Sequence, residues 1–262
     1  MTIYRNILVE RSGAVARITL NRPDKLNSFT REMLAELETA LAGVAADSGL
    51  RTLMLTGAGR AFGAGQDLRE PGAMDGPVPI KDLLERGYAP VLRALAALEL
   101  PTLAAVNGIA AGAACGLALA CDLVVAARSA SFLMAFSRIG LVPDAGTTHW
   151  LPRRIGMARA LGMTLLAEPV TAEQAAQWGL IWECIPDERF AARAAELADR
   201  LAAGPTRAFA LAKRALQASA AHTLEQQLAL EAELQALAAG TADFREGVAA
   251  FLEKRAATFA GQ

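Results

Sequence analysis

The sequence predicts an α/β protein in which strand–strand–helix units repeat along the chain and a helical region follows them. Two observations lead to this prediction. Short apolar segments alternate with segments of helical periodicity over the first two-thirds, and the pattern from Met157 onward is helical. The chain has 262 residues, of which 53% are hydrophobic, so a large core can form. We expect the core in residues 1–200 and a helical region in 201–262, which must pack on the core or on another subunit.

The first half of the chain opens with "YRNILVERSGAVARITLNRP", which predicts two strands around a turn at Ser12 and Gly13. "TREMLAELETALAGVAAD" has apolar residues at helical spacing after a capping Thr30, so it predicts a helix. "RTLMLTG" predicts a short strand and "FGAGQDLRE" a loop. Residues 71–80 hold three prolines and two glycines, which indicates a further loop, and a helix is expected over about 80–98.

The second half continues with "PTLAAVN", a predicted strand, and "GIAAGAACGLALA", a predicted turn and helix. "CDLVVAA" and "SASFLMAF" predict two more strands. "TAEQ" at 171–174 is a capping box that begins a helix. Four further helices are expected near 187–203, 205–221, 223–239 and 241–255.

The composition excludes several classes of protein. Lys plus Arg total 26 against 27 for Asp plus Glu, and such a balance does not indicate a nucleic-acid-binding protein. The three cysteines fit no zinc pattern, which indicates buried reduced thiols and a cytoplasmic protein. Two histidines make a multi-histidine metal site improbable, so we expect no metal.

One uncharged stretch, residues 100–121, invites comparison with a membrane span. Pro101 and Asn107 interrupt it, and alanine dominates over leucine and isoleucine. A buried strand, a turn and a buried helix explain it better. The N-terminus also lacks the order of a signal peptide, so we expect no membrane association.

Three loops are rich in small residues: "AFGAGQDL" (61–68), "GIAAGAACG" (108–116) and "LVPDAG" (141–146). Residues with little side chain let a ligand approach the backbone closely. Two backbone N–H groups aimed at one point would form an oxyanion hole. The alternative is that the small residues simply allow strand and helix to pack closely.

Taken together, "NRPDKLNSF", "GAGRAFGAGQDL", "AAVNGIAAGAACGLALACDLVVAA", "FSRIGLVPDAG", "AEQAAQWGLIWECIP" and "REGVAAFLEKR" resemble the crotonase (enoyl-CoA hydratase/isomerase) superfamily over essentially the whole chain. The resemblance implies a crotonase-like spiral of strand–strand–helix (ββα) turns with a C-terminal helical trimerisation region. It implies a homotrimer or a hexamer built from two trimers. It also implies an acyl-CoA thioester substrate, and coenzyme A enters with the substrate rather than as a separate cofactor.

The resemblance further implies site residues. By position, the oxyanion N–H groups fall on Ala64 and Ala113, the latter standing where the family usually has glycine. The implied coenzyme A contacts are Gln66, Asp67 and Leu68 at the adenine pocket, Lys25 near the nucleotide phosphates, and Phe251 and Lys254 on the C-terminal helix, often that of a neighbouring subunit. The alternative for the two lysines is a solvated surface position.

The departures from the family pattern bear on the reaction. A typical hydratase has two glutamates that share a water, but here the positions are Gly116 and Phe136. Asp144 stands where several family isomerases and aryl-CoA dehalogenases carry a catalytic aspartate. Apolar neighbours would raise its pKa, so it could move a proton beside the thioester while the oxyanion hole holds the enolate. Without the resemblance, Asp144 could equally cap the following helix.

Within the family, "MAFSRIGLVPDAG" and "TADFREGVAAFLEKR" look most like the ring-epoxide isomerases of phenylacetate degradation. The predicted reaction converts 2-(1,2-epoxy-1,2-dihydrophenyl)acetyl-CoA to its oxepin isomer, shifts an enoyl-CoA double bond, or does both. The alternatives are an enoyl-CoA hydratase, an aryl-CoA dehalogenase and a non-catalytic acyl-CoA-binding or RNA-binding member. Thr147 stands where the family usually has a glycine. His149 and Trp150 are interpreted as packing residues at a helix start.

Overall fold

The computed structural model describes residues 4–72 and 75–262. Its strands are β1 (Ile7–Ser12), β2 (Val15–Leu20), β3 (Thr52–Gly57), β4 (Ala61–Gly63), β5 (Thr102–Val106), β6 (Ile109–Ala111), β7 (Leu123–Ala127), β8 (Ser131–Leu133), β9 (Val170–Thr171) and β10 (Glu183–Ile185). Its α-helices are α1 (Arg31–Ala46), α2 (Pro77–Asp82), α3 (Ala89–Ala97), α4 (Ala113–Leu119), α5 (Thr147–Leu166), α6 (Ala172–Trp178), α7 (Asp187–Ala202), α8 (Thr206–Ser219), α9 (Leu224–Ala239) and α10 (Ala242–Glu253).

Two sheets organise the core. The larger has the order β1-β2-β3-β5-β7-β10, in which β1 and β2 form an antiparallel hairpin and the other neighbours run parallel. The smaller has the order β4-β6-β8-β9. Every residue of β5 is buried, as expected for a parallel strand covered on both faces. The predicted turn lies between β1 and β2, where Gly13 adopts a φ of 58°.

Consecutive turns of the chain repeat one unit. Each contributes a strand to the larger sheet, then a short strand to the smaller sheet, then a helix: β3–β4 with α2 and α3, β5–β6 with α4, and β7–β8 with α5. This arrangement confirms the predicted ββα spiral. The small residues after β4 and β6 therefore recur at equivalent places, and the helix starts of successive turns come close together.

Short elements differ from the sequence prediction. β4 and β6 fall where a loop and a turn were expected, and β9 and β10 interrupt a region predicted as helical. Such segments of two or three residues have no periodicity of their own and exist because the neighbouring strand pairs with them. The helix α5 also begins before Met157, at Thr147, and continues past a kink at Gly156.

A π-helical turn, Leu83–Tyr88, joins α2 to α3. Pro90 lacks an N–H and its ring excludes the carbonyl of the preceding helical turn. The N–H of Ala89 accordingly donates to Leu84 O, five residues back, and the helix continues after one wider turn. This local change matters because π-turns re-aim side chains and are frequent at functional sites. Here it places both Leu83 and Tyr88 against the core.

The C-terminal helices are attached to the core of their own chain. Lys213 on α8 forms an ion pair with Asp122 at 2.8 Å and donates to the carbonyls of Leu98 and Leu100. Arg51 donates to the carbonyl of Phe259 in the tail. Because α7 packs on β2, β3 and β7, the predicted boundary at residue 201 falls in the last turn of a helix that belongs to the core.

In residues 4–72 and 75–262, no helix combines the length and the apolar character needed to cross a membrane.

Candidate active site

A cavity of about 230 Å³ lies between the starts of α4 and α5 and the π-helical turn. Its wall is mostly apolar and includes Leu83, Leu84, Phe136 and Leu141. Among the described residues that line it, Asp144 is the sole carboxylate. An apolar cavity with few polar groups is typical of a site that binds a small molecule and excludes water.

Ala64 and Ala113, the residues on which the family resemblance placed the oxyanion N–H groups, both line this cavity. The loops that carry them touch: a Cβ added to Gly65, whose φ is +84°, would lie 3.0 Å from Ala111 O and 3.6 Å from Ala113 N. Within the described chain, no carbonyl accepts a hydrogen bond from the N–H of Ala64 or Ala113. Both donors are therefore free to bind a ligand oxygen that reaches between the loops.

Asp144 is held by its backbone rather than by its carboxylate. The N–H of Thr147 (3.0 Å) and its hydroxyl (2.7 Å) both donate to Asp144 O, and Thr147 is fully buried. The following Ala145 and Gly146 take left-handed conformations, with φ of 48° and 76°. Thr147, which the sequence marked as a departure from the family pattern, thus fixes the loop that presents Asp144.

The Asp144 side chain is poorly solvated. Its Oδ1 is buried and has no hydrogen-bond partner in the described chain. Burial raises the pKa of Asp144 from its ordinary 3.8 to about 6. The carboxylate does not cap α5, because Gly146 is the capping residue and makes no side-chain hydrogen bond. A carboxyl with this environment can exchange protons near neutral pH.

Gly116 explains why the usual hydratase glutamate is absent. A Cβ added at this position would lie 2.2 Å from Ala145 O and 2.8 Å from Ala145 Cβ. The loop that presents Asp144 therefore occupies the space into which a side chain at 116 would grow. Phe136, at the second glutamate position, is buried and lines the cavity.

Tyr88 is a site residue that sequence reasoning missed. It lines the cavity, and its hydroxyl donates to Gln66 Oε1 at 2.8 Å. Gln66 Nε2 donates to Glu70 Oε2 at 2.8 Å, and the N–H of Arg31 donates to Glu70 Oε1 at 2.9 Å. Burial and the negative charges of Asp144 and Glu70 raise the pKa of Tyr88 well above its ordinary value. The signal in the sequence was Pro90, which indicates an irregular helix just before it.

The predicted coenzyme A residues near the cavity have distinct surroundings. Leu68 is half-exposed at the cavity wall, while Gln66 belongs to the hydrogen-bond chain of Tyr88. Asp67 forms an ion pair with Arg22 at 3.0 Å. Burial tends to raise the pKa of Asp67, but hydrogen bonds from the Arg69 N–H and from Arg22 lower it on balance. Their contact with an adenine ring stays a prediction.

The other predicted coenzyme A residues lie at the surface. Lys25 is exposed in a 3₁₀ turn (Pro23–Lys25). Phe251 is 82% exposed on α10, and Lys254 ends that helix with a φ of 55°. Neither Phe251 nor Lys254 lines the cavity of Asp144. A contact between these two residues and a ligand stays a prediction, as does the neighbouring subunit through which it was expected.

His149 and Trp150 pack on each other, with ring centroids 4.5 Å apart in an edge-to-face arrangement. Burial and the charge of Arg153 lower the pKa of His149. Neither ring lines the cavity. No cluster of three or more metal-ligating side chains occurs in the part of the chain that the structure describes.

Comparison with known proteins now identifies the family. The family model described as enoyl-CoA hydratase/isomerase matches residues 10–262. The chain belongs to this family. Its membership confirms the predicted family and the predicted crotonase-like fold. An acyl-CoA thioester is the substrate class consistent with an enoyl-CoA hydratase/isomerase.

Relatives of this enoyl-CoA hydratase/isomerase carry two kinds of name. The chain is 51% identical to a Rhodobacter capsulatus protein named "Probable enoyl-CoA hydratase", with 99% of each chain covered. It is 49% identical to 1,2-epoxyphenylacetyl-CoA isomerase of Escherichia coli K12, with 98% of each covered. A crystal structure of enoyl-CoA hydratase from Bacillus anthracis superposes with a TM-score of 0.91 at 32% identity, covering 98% of this chain and 100% of that one. Family membership thus establishes hydratase/isomerase chemistry without deciding between the two.

Proposed function

We propose that this protein is an acyl-CoA isomerase. The proposed reaction converts 2-(1,2-epoxy-1,2-dihydrophenyl)acetyl-CoA to oxepin-CoA, moves an enoyl-CoA double bond, or does both. One observation carries the proposal: Asp144 is the sole carboxylate on the described cavity wall, and its own loop fills the space for a glutamate at Gly116. The similarity to the Escherichia coli isomerase supports the ring-epoxide substrate.

The proposed chemistry uses two groups of this chain. The free N–H groups of Ala64 and Ala113 bind the thioester oxygen and stabilise the enolate that forms when a proton leaves the adjacent carbon. The Asp144 carboxylate takes that proton and returns it two carbons along, which moves a C=C bond from the 3,4 to the 2,3 position. Ring-epoxide and oxepin have the same atoms, so this conversion also adds no water. The apolar wall favours reactions that exclude water.

A hydratase is the competing function within the family. It must hold a water for attack on C3, and two carboxylates usually do this. Gly116 and Phe136 cannot supply either one. We therefore expect slow or undetectable hydration of crotonyl-CoA, measured directly on the wild-type protein. Hydration as fast as isomerisation would reject the assignment.

The experiment that tests the function is turnover of a substrate panel by wild type and Asp144→Asn. The panel contains the ring-epoxide thioester, a 3-enoyl-CoA, a 2-enoyl-CoA and a 4-halobenzoyl-CoA. Isomerase turnover should fall at least about 10²-fold in the variant, because a general base contributes that much or more. Acyl-CoA binding should persist. The matched control is Asp199→Asn on the exposed face of α7, which should keep wild-type turnover.

Asp144→Asn with nearly normal turnover would reject Asp144 as the acid/base. Turnover of the 4-halobenzoyl thioester would instead favour the dehalogenase alternative.

We also propose a cytoplasmic location. Cys115, Cys121 and Cys184 are free thiols, and burial raises the pKa of Cys115 and Cys121 to about 12. Unpaired, unreactive cysteines are typical of proteins in reducing compartments.

A further inference from the structure

The hydrogen bonds behind Tyr88 have a fixed direction. A carboxylate only accepts hydrogen bonds, and Glu70 accepts one from the N–H of Arg31 and one from Gln66 Nε2. Gln66 must then turn its Oε1 toward Tyr88, which settles the orientation of the amide. The Tyr88 hydroxyl has one hydrogen, and it donates this hydrogen to Gln66. This series of hydrogen bonds therefore leaves a lone pair, not a hydrogen, on the cavity side of the Tyr88 hydroxyl.

The surroundings of Asp144 agree with this direction. Tyr88 and Asp144 line the same cavity, yet no hydrogen bond to the Asp144 carboxylate occurs in the described chain. Among the described residues that line the cavity, the other charged side chain is that of Arg138, on the 3₁₀ turn Ala135–Ile139, which donates to Ala167 O. Burial accounts for the raised pKa of Asp144, with no donor to offset it.

We propose that Glu70 and Gln66 are positioning residues, which turn the hydroxyl hydrogen of Tyr88 away from the Asp144 carboxylate. The carboxylate is thereby denied a hydrogen bond from a hydroxyl that lines the same cavity. A hydrogen bond to the ionised form would make Asp144 a weaker base. This inference rests on the proposed role of Asp144, and it assigns a role to the hydrogen bonds that link Tyr88, Gln66 and Glu70.

Glu70→Gln is the informative substitution because it reverses the donor and acceptor roles along this series of hydrogen bonds. The new amide accepts from the N–H of Arg31 through its oxygen and donates through its nitrogen to Gln66. Gln66 then turns its own nitrogen toward Tyr88, which accepts, and the hydroxyl hydrogen becomes free for Asp144. Gln66→Leu gives the same freedom by a second route, since it removes the acceptor and keeps the negative charge at position 70.

The test is the titration of Asp144 in each variant by pH-difference infrared spectroscopy, with its carboxyl band assigned by comparison with Asp144→Asn. Glu70→Gln and Gln66→Leu should each lower the pKa of Asp144 by about 1, the effect of one hydrogen bond to a charged group. Tyr88→Phe should leave it near the wild-type value. In the Tyr88→Phe background, neither substitution should lower it further.

Three outcomes would overturn the inference. The first is a pKa of Asp144 that stays unchanged in both Glu70→Gln and Gln66→Leu. The second is an equally large fall of this pKa in the Tyr88→Phe background, which would show that the lost charge of Glu70 acts directly. The third is a rise of the pKa of Asp144 in Tyr88→Phe alone, which would show that the hydroxyl already donates to the carboxylate. The titration of Asp144 needs no substrate. If the protein shows no isomerase turnover, the proposed function is refuted, but the titration still tests this inference.

Discussion

At the scale of single residues, the central feature is a carboxylate held without a donor. Asp144 has a buried Oδ1, an apolar wall around it and a backbone fixed by Thr147. An aspartate in water is too weak a base to take a proton from carbon efficiently at neutral pH, whereas one with a pKa of about 6 is better matched. In the proposed reaction, desolvation is thus what makes Asp144 basic enough to take the proton.

The first prediction concerns the pH dependence of turnover. Asp144 must be ionised to accept a proton, so isomerase kcat/KM should fall about tenfold for each pH unit below about 6. Initial rates between pH 4.5 and 8 measure this limb. A rate that stays constant down to pH 4.5 would contradict the assignment of the base.

The second prediction concerns stability. The folded protein binds the Asp144 proton more tightly than the unfolded chain, because the pKa is raised from 3.8 to about 6 on folding. Its contribution to stability is therefore present below pH 4 and is lost as the pH rises through 6. Asp144→Asn should raise the free energy of unfolding by roughly 3 kcal/mol at pH 8 and change it little at pH 4. Urea unfolding of both proteins at pH 8 and pH 4 measures this change in the free energy of unfolding. An equal change at the two pH values would contradict the prediction.

At the scale of elements, α4 and the loop before α5 form one closely fitted unit. Gly116 allows Ala145 to approach the helix within van der Waals distance, and the same approach sets the position of Asp144. The contact joins a glycine in one ββα turn to a strained residue in the next. A change on α4 should therefore act on the carboxylate although the helix presents no reacting side chain.

The third prediction follows from that contact. Gly116→Ala should lower isomerase turnover by about 10²-fold, since a displacement of about 1 Å of a catalytic group can cost this much. Gly116→Glu should lower it at least as far, without producing a hydratase. The control is Gly162→Ala on α5, where a Cβ has open space and helix propensity improves. Wild-type turnover in Gly116→Ala would show that the loop yields without moving Asp144.

The elements also show how far the sequence alone reaches. α1, β3, β5, β7 and the helices α7 to α10 follow from periodicity, and the capping threonines Thr30 and Thr171 mark helix starts as expected. β4 and β6 were missed because three-residue strands are defined by their partners. Asp144 could be named from sequence, yet the Tyr88 chain could not, because its members come from α1, a loop and a π-turn that only folding brings together.

At the scale of the molecule, the C-terminal helices combine attachment and exposure. Lys213 and Arg51 hold them to the core of their own chain. They nevertheless expose large apolar side chains: Leu216, Leu224, Leu228, Leu237, Phe244, Val248, Phe251 and Leu252. A cavity of about 530 Å³ lies among α8, α9 and α10 and includes Phe251. An apolar surface of this kind is typical of contacts between subunits.

The fourth prediction is that this surface assembles the chain into a trimer or hexamer. Phe251→Asp places a charge on it and should shift the protein toward a monomer of 27.4 kDa, measured by light scattering at micromolar concentration. Ala191→Asp adds the same charge to the exposed face of α7 and should leave the assembly intact. A wild-type protein that is already monomeric and fully active would rule out the trimer.

The contact between Gly116 and Ala145 also constrains how this chain can change its activity. In this backbone, a side chain at position 116 would meet Ala145, the residue after Asp144, so a glutamate on α4 requires the loop that presents Asp144 to move. A stepwise path toward two carboxylates must therefore change that loop before, or together with, position 116. Directed evolution from this sequence toward a hydratase should therefore select changes in residues 144–146 before it selects a glutamate at 116.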